Sequence, residues 1–345
     1  SGAIEAYYTR KYSREFISSQ VSDLQKTVAK LLEKCEKGYR MYRIPSYVRE
    51  QINQKARDEV SLYSTGIELR FRLKGDSATV ILSVDENEEA QVAFIYYGTF
   101  QGGWQYSSKT LQKETRITIP KNNNLKLLKE IAKKSQLAFD PEVVRIVLPY
   151  GTCYFVGVEG EVEPPLKEQL PKKAYLAYGS SITHGSLALA APYTYPFRIS
   201  QILNCDYYNL GFAGTAHLEK AMAEYIVSRK DWDFASVEMG INMIGPEFSF
   251  ELFEERVKEF TDILASDPRP VFATSIFGFT GQGQEKAAKF REIVRKHAKD
   301  KLIFTDGLEL LDNPAYISAD LVHPTLEGIA QISERWSNIM RYLAL

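Results

Sequence analysis

Cysteine is scarce and scattered. The three in this 345-residue chain, Cys35, Cys153 and Cys205, are odd in number, far apart and form no C-x-x-C pair. That speaks against a disulfide framework and against a zinc knuckle. It favours a reducing compartment and a cytoplasmic address, although the opening Ser1-Gly2-Ala3 lacks a methionine and leaves a removed signal peptide open. Net charge is scarce as well. The 43 Lys and Arg nearly cancel the 44 Asp and Glu to give −1, so no basic excess points to nucleic acid or to an anionic membrane surface. No apolar run reaches the length of a membrane span. Internal repeats and low-complexity tracts are absent. Gly281-Gln282-Gly283-Gln284 lacks the last glycine of a dinucleotide-binding turn, and Gly185-Ser186 lacks the lysine of a phosphate loop. Histidine is rare: only His184, His217, His297 and His323 are available as a general base.

What remains is globular composition, 44% hydrophobic and 25% charged, in a chain long enough for two domains. The two halves are patterned differently. Apolar residues at three- and four-residue spacing predict a helix over 15–37, with Gly38 as its stop. The period then changes to two. Ile67-Glu68-Leu69-Arg70-Phe71-Arg72-Leu73 alternates as a half-buried strand does. Strand-like runs follow at 79–84, 91–97, 115–120, 143–148 and 154–159, interrupted by one basic helix over about 125–138. An all-β sandwich, jelly-roll-like, fits residues 1–163 best, with the helix leading it. Phe100-Gln101-Gly102-Gly103-Trp104-Gln105-Tyr106 in this half holds aromatics that can stack on a sugar; Trp104 is read in preference as core or interdomain packing.

Three prolines and several charges make 164–173 a linker. From 174 to 345 strand and helix alternate. Apolar runs at 174–178, 206–210, 234–239, 271–276 and 302–305 read as buried parallel strands. Helical stretches lie near 195–203, 216–228, 250–265 and 285–298, with a last one over 325–343. That is the pattern of a three-layer α/β/α domain.

In such a sheet, ligands bind beyond the carboxyl ends of the strands. Three consecutive strand ends carry polar or glycine-rich segments: Gly179-Ser180-Ser181, Gly211-Phe212-Ala213-Gly214 and Gly240-Ile241-Asn242. Taken singly, each glycine reads as an ordinary tight turn; together they bring a hydroxyl, a flexible turn and an amide to one edge. A serine hydroxyl needs a base. His297 lies in a charged helix and reads as solvent-facing. His217 reads as structural. His184 is too close in sequence to Ser181 to approach it in line, though it can line the pocket. His323 precedes Pro324 in a loop before the last helix, with Asp320 three residues upstream to orient its Nδ1. The competing reading has Asp320 capping that helix and His323 packing beneath it. The N–H groups of Ser181 and Gly214 and the amide of Asn242 are candidate oxyanion donors.

In order, Gly179-Ser180-Ser181, Gly214, Gly240-Ile241-Asn242 and Asp320-Leu321-Val322-His323-Pro324 resemble the four blocks of the SGNH (Gly-Asp-Ser-Leu) hydrolases over about residues 172–345. The first half is similar to the β-sandwich that precedes this domain in a two-domain branch, through 42–45 and Ser64-Thr65-Gly66-Ile67-Glu68-Leu69-Arg70-Phe71. The resemblance implies a flavodoxin-like sheet, Ser181 as nucleophile, Asp320 and His323 completing the triad, Gly214 and Asn242 as oxyanion donors, and neither metal nor organic cofactor. Two positions depart from the family: Ser180 stands where an aspartate is common, and Met243 where an acid often follows the asparagine. The branch implies carbohydrate deacetylases and short-acyl esterases, with some acyltransferases. The expected function is therefore hydrolysis of a short acyl ester, favourably acetyl, on a sugar or small alcohol. Acyl transfer to an alcohol is the alternative, and a carbohydrate-binding protein without catalysis is the second.

Overall fold

The computed structural model describes residues 31–85 and 91–344. Most of the helix expected over 15–37 lies outside that range. Where it continues, at 32–37, the chain is not helical. β1 (Leu32–Cys35) pairs antiparallel with β2 (Gly38–Met41), and Gly38 at φ 112° makes the turn between them. Pairing across the sheet overrides local helix propensity here.

Two short helices follow, α1 (Ser46–Arg49) and α2 (Gln54–Asp58), neither of which stands out in the sequence. The antiparallel part then runs β3 (Glu68–Leu73), β4 (Ser77–Val84), β5 (Gln91–Tyr97), β6 (Phe100–Gln101), β7 (Ser108–Leu111) and β8 (Thr115–Pro120). It continues with α3 (Leu125–Lys134), β9 (Val144–Val147), β10 (Cys153–Glu159) and β11 (Val162–Glu163). One sheet has the order β1-β2-β10-β4-β8 and the other β11-β3-β9-β5-β6, with β7 beside β5. Leu69, Phe71, Val80, Leu82, Ile95, Ile146 and Phe155 fill the space between them, so alternate residues of each strand build the sandwich core.

The alternation at 67–73 is real, but its polar face does not meet water. Glu68 and Arg70 are fully buried against the C-terminal domain. Arg70 grips Asp206 with two bonds of 2.6 and 2.8 Å, and Glu68 accepts from Arg70 Nε at 2.9 Å and from Arg145 Nη2 at 2.8 Å. Alternation reports two unlike faces; it does not say that the polar one is solvated.

The C-terminal sheet consists of β12 (Ala174–Gly179), β13 (Asp206–Gly211), β14 (Phe234–Glu238), β15 (Val271–Thr274) and β16 (Ile303–Thr305), all parallel, in the order β13-β12-β14-β15-β16. This is the flavodoxin-like 2-1-3-4-5 order, whose switch point lies between the first and third strands. The helices are α4 (Ser181–His184), α5 (Tyr195–Ile202), α6 (Lys220–Ser228), α7 (Phe250–Ala265), α8 (Gln284–Ala298), α9 (Gly307–Leu310) and α10 (Leu326–Ala344). One face of the sheet is covered by α6, α7 and α8, the other by α5 and α10.

Neither apolar layer respects the boundary between the two halves. Ile44, Val48, Ile52, Ala56 and Val60 join the layer that holds α6 and α7, and Phe94, Tyr96 and Val147 join the layer of α5 and α10. The sandwich is thus fixed to the α/β domain by apolar burial on both sides of the buried ionic network.

Candidate active site

β12 ends at Gly179, and the chain turns at once into α4. Ser180 caps that short helix by accepting the Ile182 N–H at 3.2 Å. Ser181, the first helical residue, keeps its own N–H free of an intrahelical partner. Its Oγ lies 2.9 Å from His323 Nε2. The His323 Nδ1 lies 2.6 Å from Asp320 Oδ2. The structure therefore brings together serine, imidazole and carboxylate from opposite ends of the domain as one hydrogen-bonded chain.

The loop before α10 presents this pair. The other Asp320 oxygen accepts from Ser318 Oγ at 2.6 Å and from the N–H groups of Val322 and His323, both at 2.9 Å. Burial works against ionisation of Asp320. The hydrogen bonds from Ser318, from the two N–H groups and from the His323 ring outweigh it, and hold the carboxyl well below its ordinary range. Asp320 thus orients the imidazole instead of capping α10. Its side chain is 43% exposed and that of His323 25%, so the imidazole stands at the surface.

The second strand end supplies the loop at 212–217. Phe212 N–H bonds to Gly179 O, Ala213 N–H to His184 Nδ1, Thr215 N–H to Phe212 O, Ala216 N–H to Asn242 Oδ1 and His217 N–H to Thr215 O. Gly214, at φ 68°, interrupts this series; its N–H bonds to none of the described residues, and the space where a Cβ would stand is open. Asn242 follows β14. Because its Oδ1 holds Ala216 N–H at 3.1 Å, its Nδ2 is left as a donor. Met243, in place of the family's acid, is fully buried.

Several residues that shape this site were not singled out from the sequence. Glu238, at the end of β14, is 2% exposed; its Oε1 accepts the Ser180 N–H at 2.5 Å and the Thr183 hydroxyl at 3.3 Å. Burial pushes its carboxyl upward, against the opposing hydrogen bonds from Ser180 and Thr183. A carboxyl group thus lies beneath the Ser180-Ser181 turn, supplied from β14 while Ser180 occupies the family's aspartate position. The signal was a lone charge in an otherwise apolar run.

Arg43, from the segment between β2 and α1, is 2% exposed and donates only to carbonyls: Nη1 to Gly211 at 2.5 Å and Asn209 at 3.1 Å, Nη2 to Val60 at 2.9 Å, Nε to Tyr63 at 2.8 Å. Burial lowers its pKa to about 9, so it is charged at neutral pH. Gly211 also lies so close to the His184 backbone that a side chain has no room there.

His184 does not line an open pocket. It is fully buried, with the Tyr150 ring tilted against it at 4.1 Å, and Nε2 donates to Tyr150 O at 3.2 Å while Nδ1 takes Ala213 N–H. Burial and the nearby Arg43 charge push its pKa far down. His297 is not solvent-facing: its ring is 12% exposed and pairs with Glu254 at 2.8 Å. His217 has a structural setting, edge-on to Phe248 at 4.8 Å. Among the described residues, no group of three or more His, Cys, Asp or Glu side chains could hold a metal ion.

Residues 177–330 match the model of the GDSL-like Lipase/Acylhydrolase family. The C-terminal domain is a GDSL-type hydrolase domain. No curated protein matches the chain in sequence. Solved structures share the architecture of both halves. The salicylyl-acyltransferase SsfX3 of a tetracycline biosynthetic pathway superposes with a TM-score of 0.66 at 16% identity, over 91% of this chain and 93% of its own. A GDSL-like lipase from Bacteroides ovatus gives 0.63 at 16% identity, over 87% and 91%. A family two carbohydrate esterase from Clostridium thermocellum, solved with cellohexaose, gives 0.56 at 12%, over 81% and 93%. Residues 177–330 thus form a GDSL-type serine hydrolase domain, preceded in the chain by a β-rich region.

Proposed function

We propose that this enzyme cleaves a short acyl ester, acetyl first, from a carbohydrate or small alcohol. The observation that carries the reading is the unbroken chain from Ser181 Oγ through His323 to Asp320. Ser181 Oγ attacks the ester carbonyl as His323 Nε2 takes its proton, and Asp320 stabilises the imidazolium through Nδ1. The N–H groups of Ser181 and Gly214 and the Asn242 Nδ2 donate to the oxygen that becomes negative. Collapse of the tetrahedral species returns the proton from His323 to the departing alcohol and leaves an acyl-Ser181. Water, deprotonated by His323, then releases the acid and restores the serine.

The short-acyl preference is supported by what surrounds the nucleophile. The 185–194 connection after α4 exposes only Leu187 and Leu189 as large apolar side chains, at 54% and 77%, and offers no long apolar cover for a fatty chain. The carbohydrate preference draws on the fold shared with a carbohydrate esterase, and it belongs to the proposal. The acyl-enzyme can also pass its acyl group to an alcohol, so the test includes one.

The experiment is hydrolysis of 4-nitrophenyl acetate, butyrate and octanoate, with and without added methanol, by wild type, Ser181→Ala and His323→Ala of unchanged circular dichroism. Turnover should fall from acetate to octanoate, and both variants should lose more than about 10³-fold. Equal activity in the variants would remove Ser181 and His323 from the mechanism. Methyl ester formed in place of acid would make the enzyme a transferase.

A further inference from the structure

A cavity of about 420 Å³ opens between the two halves of the molecule, and no triad or oxyanion residue lines it. Its size is that of a small-ligand site. Tyr96, Thr99 and Gln101 face it from the sandwich, and Tyr193, Arg198 and Glu334 from the α/β domain. Thr99 Oγ1 and Arg198 Nε are both buried and hydrogen-bond to none of the described residues. Buried polar groups of this kind are costly unless something pairs with them.

The lining selects a ligand class. Two tyrosines, Pro192 and Ile202 stand among two hydroxyls, two amides, one cation and one carboxylate. Such a wall suits a molecule with apolar C–H faces and many hydroxyls that both donate and accept. A phosphate or polyanion would meet Glu334 beside the single arginine. Trp104, expected to be core or interdomain packing, instead stands wholly in solvent at the turn after β6. Three residues separate it from Gln101, which places the two Cα atoms at most about 11 Å apart. An indole free on both faces is a platform on which a sugar ring stacks.

We infer that this interdomain cavity, extended by Trp104, is a saccharide-binding site separate from the catalytic serine. It takes one or two sugar units through Arg198, Thr99 and Gln101, with the neighbouring ring on Trp104. A saccharide held there touches both domains. The inference goes beyond the esterase reading, and only its value to catalysis, as an anchor for a carbohydrate ester, rests on that reading.

The test is binding. The wild-type protein is screened on an array of neutral and acidic oligosaccharides, and the best binder is titrated calorimetrically into wild type, Arg198→Ala, Thr99→Val and Trp104→Ala. Arg198→Ala should weaken binding at least tenfold, and Trp104→Ala at least threefold. The exposed Trp104 can be changed without disturbing a core, so its result does not depend on folding. Protein whose Ser181 is blocked by a fluorophosphonate should bind as wild type does. Absence of any saccharide binding, or binding indifferent to both Arg198→Ala and Trp104→Ala, overturns the site. Binding abolished by the fluorophosphonate would place the sugar on the catalytic serine and overturn it too. An inactive enzyme that still binds sugar through Arg198 would sink the esterase reading and leave this one standing.

Discussion

The two sides of the proposed active site are built in opposite ways. The acid–base side is local: Asp320, Val322 and His323 lie within four residues, and Asp320 is held by its own loop. The oxyanion side is assembled from afar. The strand end beneath its loop is gripped by Arg43, and the loop itself is tied to His184, against which the Tyr150 ring packs in turn. A short self-contained motif can present a base at the surface, with His323 a quarter exposed. Placing bare N–H groups against a developing charge needs a rigid frame, and here the N-terminal half supplies much of it.

If the acid–base side is self-contained, its failure should be severe and confined to chemistry. Asp320→Asn should lower kcat on 4-nitrophenyl acetate by about 10³–10⁴-fold, because the amide favours the wrong imidazole tautomer. The melting temperature should shift by only a few degrees. A loss under tenfold would mean that another group orients His323. On the other side, Asn242→Ala removes one donor and the Ala216 anchor together. Its kcat should fall about 10²–10³-fold with little change in KM. A change confined to KM would mean that Asn242 binds substrate without serving the transition state.

This division also governs what the sequence discloses. The placement of Ser181, His323, Asp320, Gly214 and Asn242 near one edge is readable because each sits at a strand end or in a short motif, and chain order places strand ends on one edge of a parallel sheet. The flavodoxin-like sheet is readable for the same reason, since alternating apolar runs and helical periods are local signals. Arg43 is not readable. An arginine whose partners are four backbone carbonyls, two of them in another domain, leaves no complementary acid to find. Glu68 and Arg70 mislead more actively, since they have the spacing of a solvated strand face and are buried in an ionic network. Trp104 errs the other way: an aromatic suggests burial, but a turn with Gly102 and Gly103 places it outside.

Arg43 offers the sharpest cut through the comparison. Arg43→Met keeps the volume and abandons the carbonyls of Gly211, Asn209, Val60 and Tyr63. Unpaired buried carbonyls should cost about 2–4 kcal/mol of stability. If the arginine also positions the oxyanion loop, kcat should drop roughly tenfold at temperatures where the variant remains folded, with KM unchanged. Arg43→Lys, with fewer donors, should recover part of the rate. A destabilised variant with wild-type kcat would make Arg43 a staple between domains and nothing more.

The smallest effect is the most specific to the buried side. His184 in the unfolded chain takes up a proton near pH 6.5. In the folded protein its pKa lies far below that, since burial and the Arg43 charge disfavour the cation. Between those values the unfolded state binds one more proton than the folded state. Stability contributed by the neutral ring is therefore complete above about pH 6.5 and is lost as pH falls, by up to about 1.4 kcal/mol per unit. Glu238, pushed upward, acts with the opposite sign, losing stability as pH rises above its ordinary carboxylate pKa. The difference between wild type and His184→Asn isolates the histidine. Urea unfolding at pH 7.0 and 5.5 should show wild type losing more stability than the variant. Equal slopes would mean that folded His184 accepts the proton, which its bond from Ala213 N–H to Nδ1 does not allow.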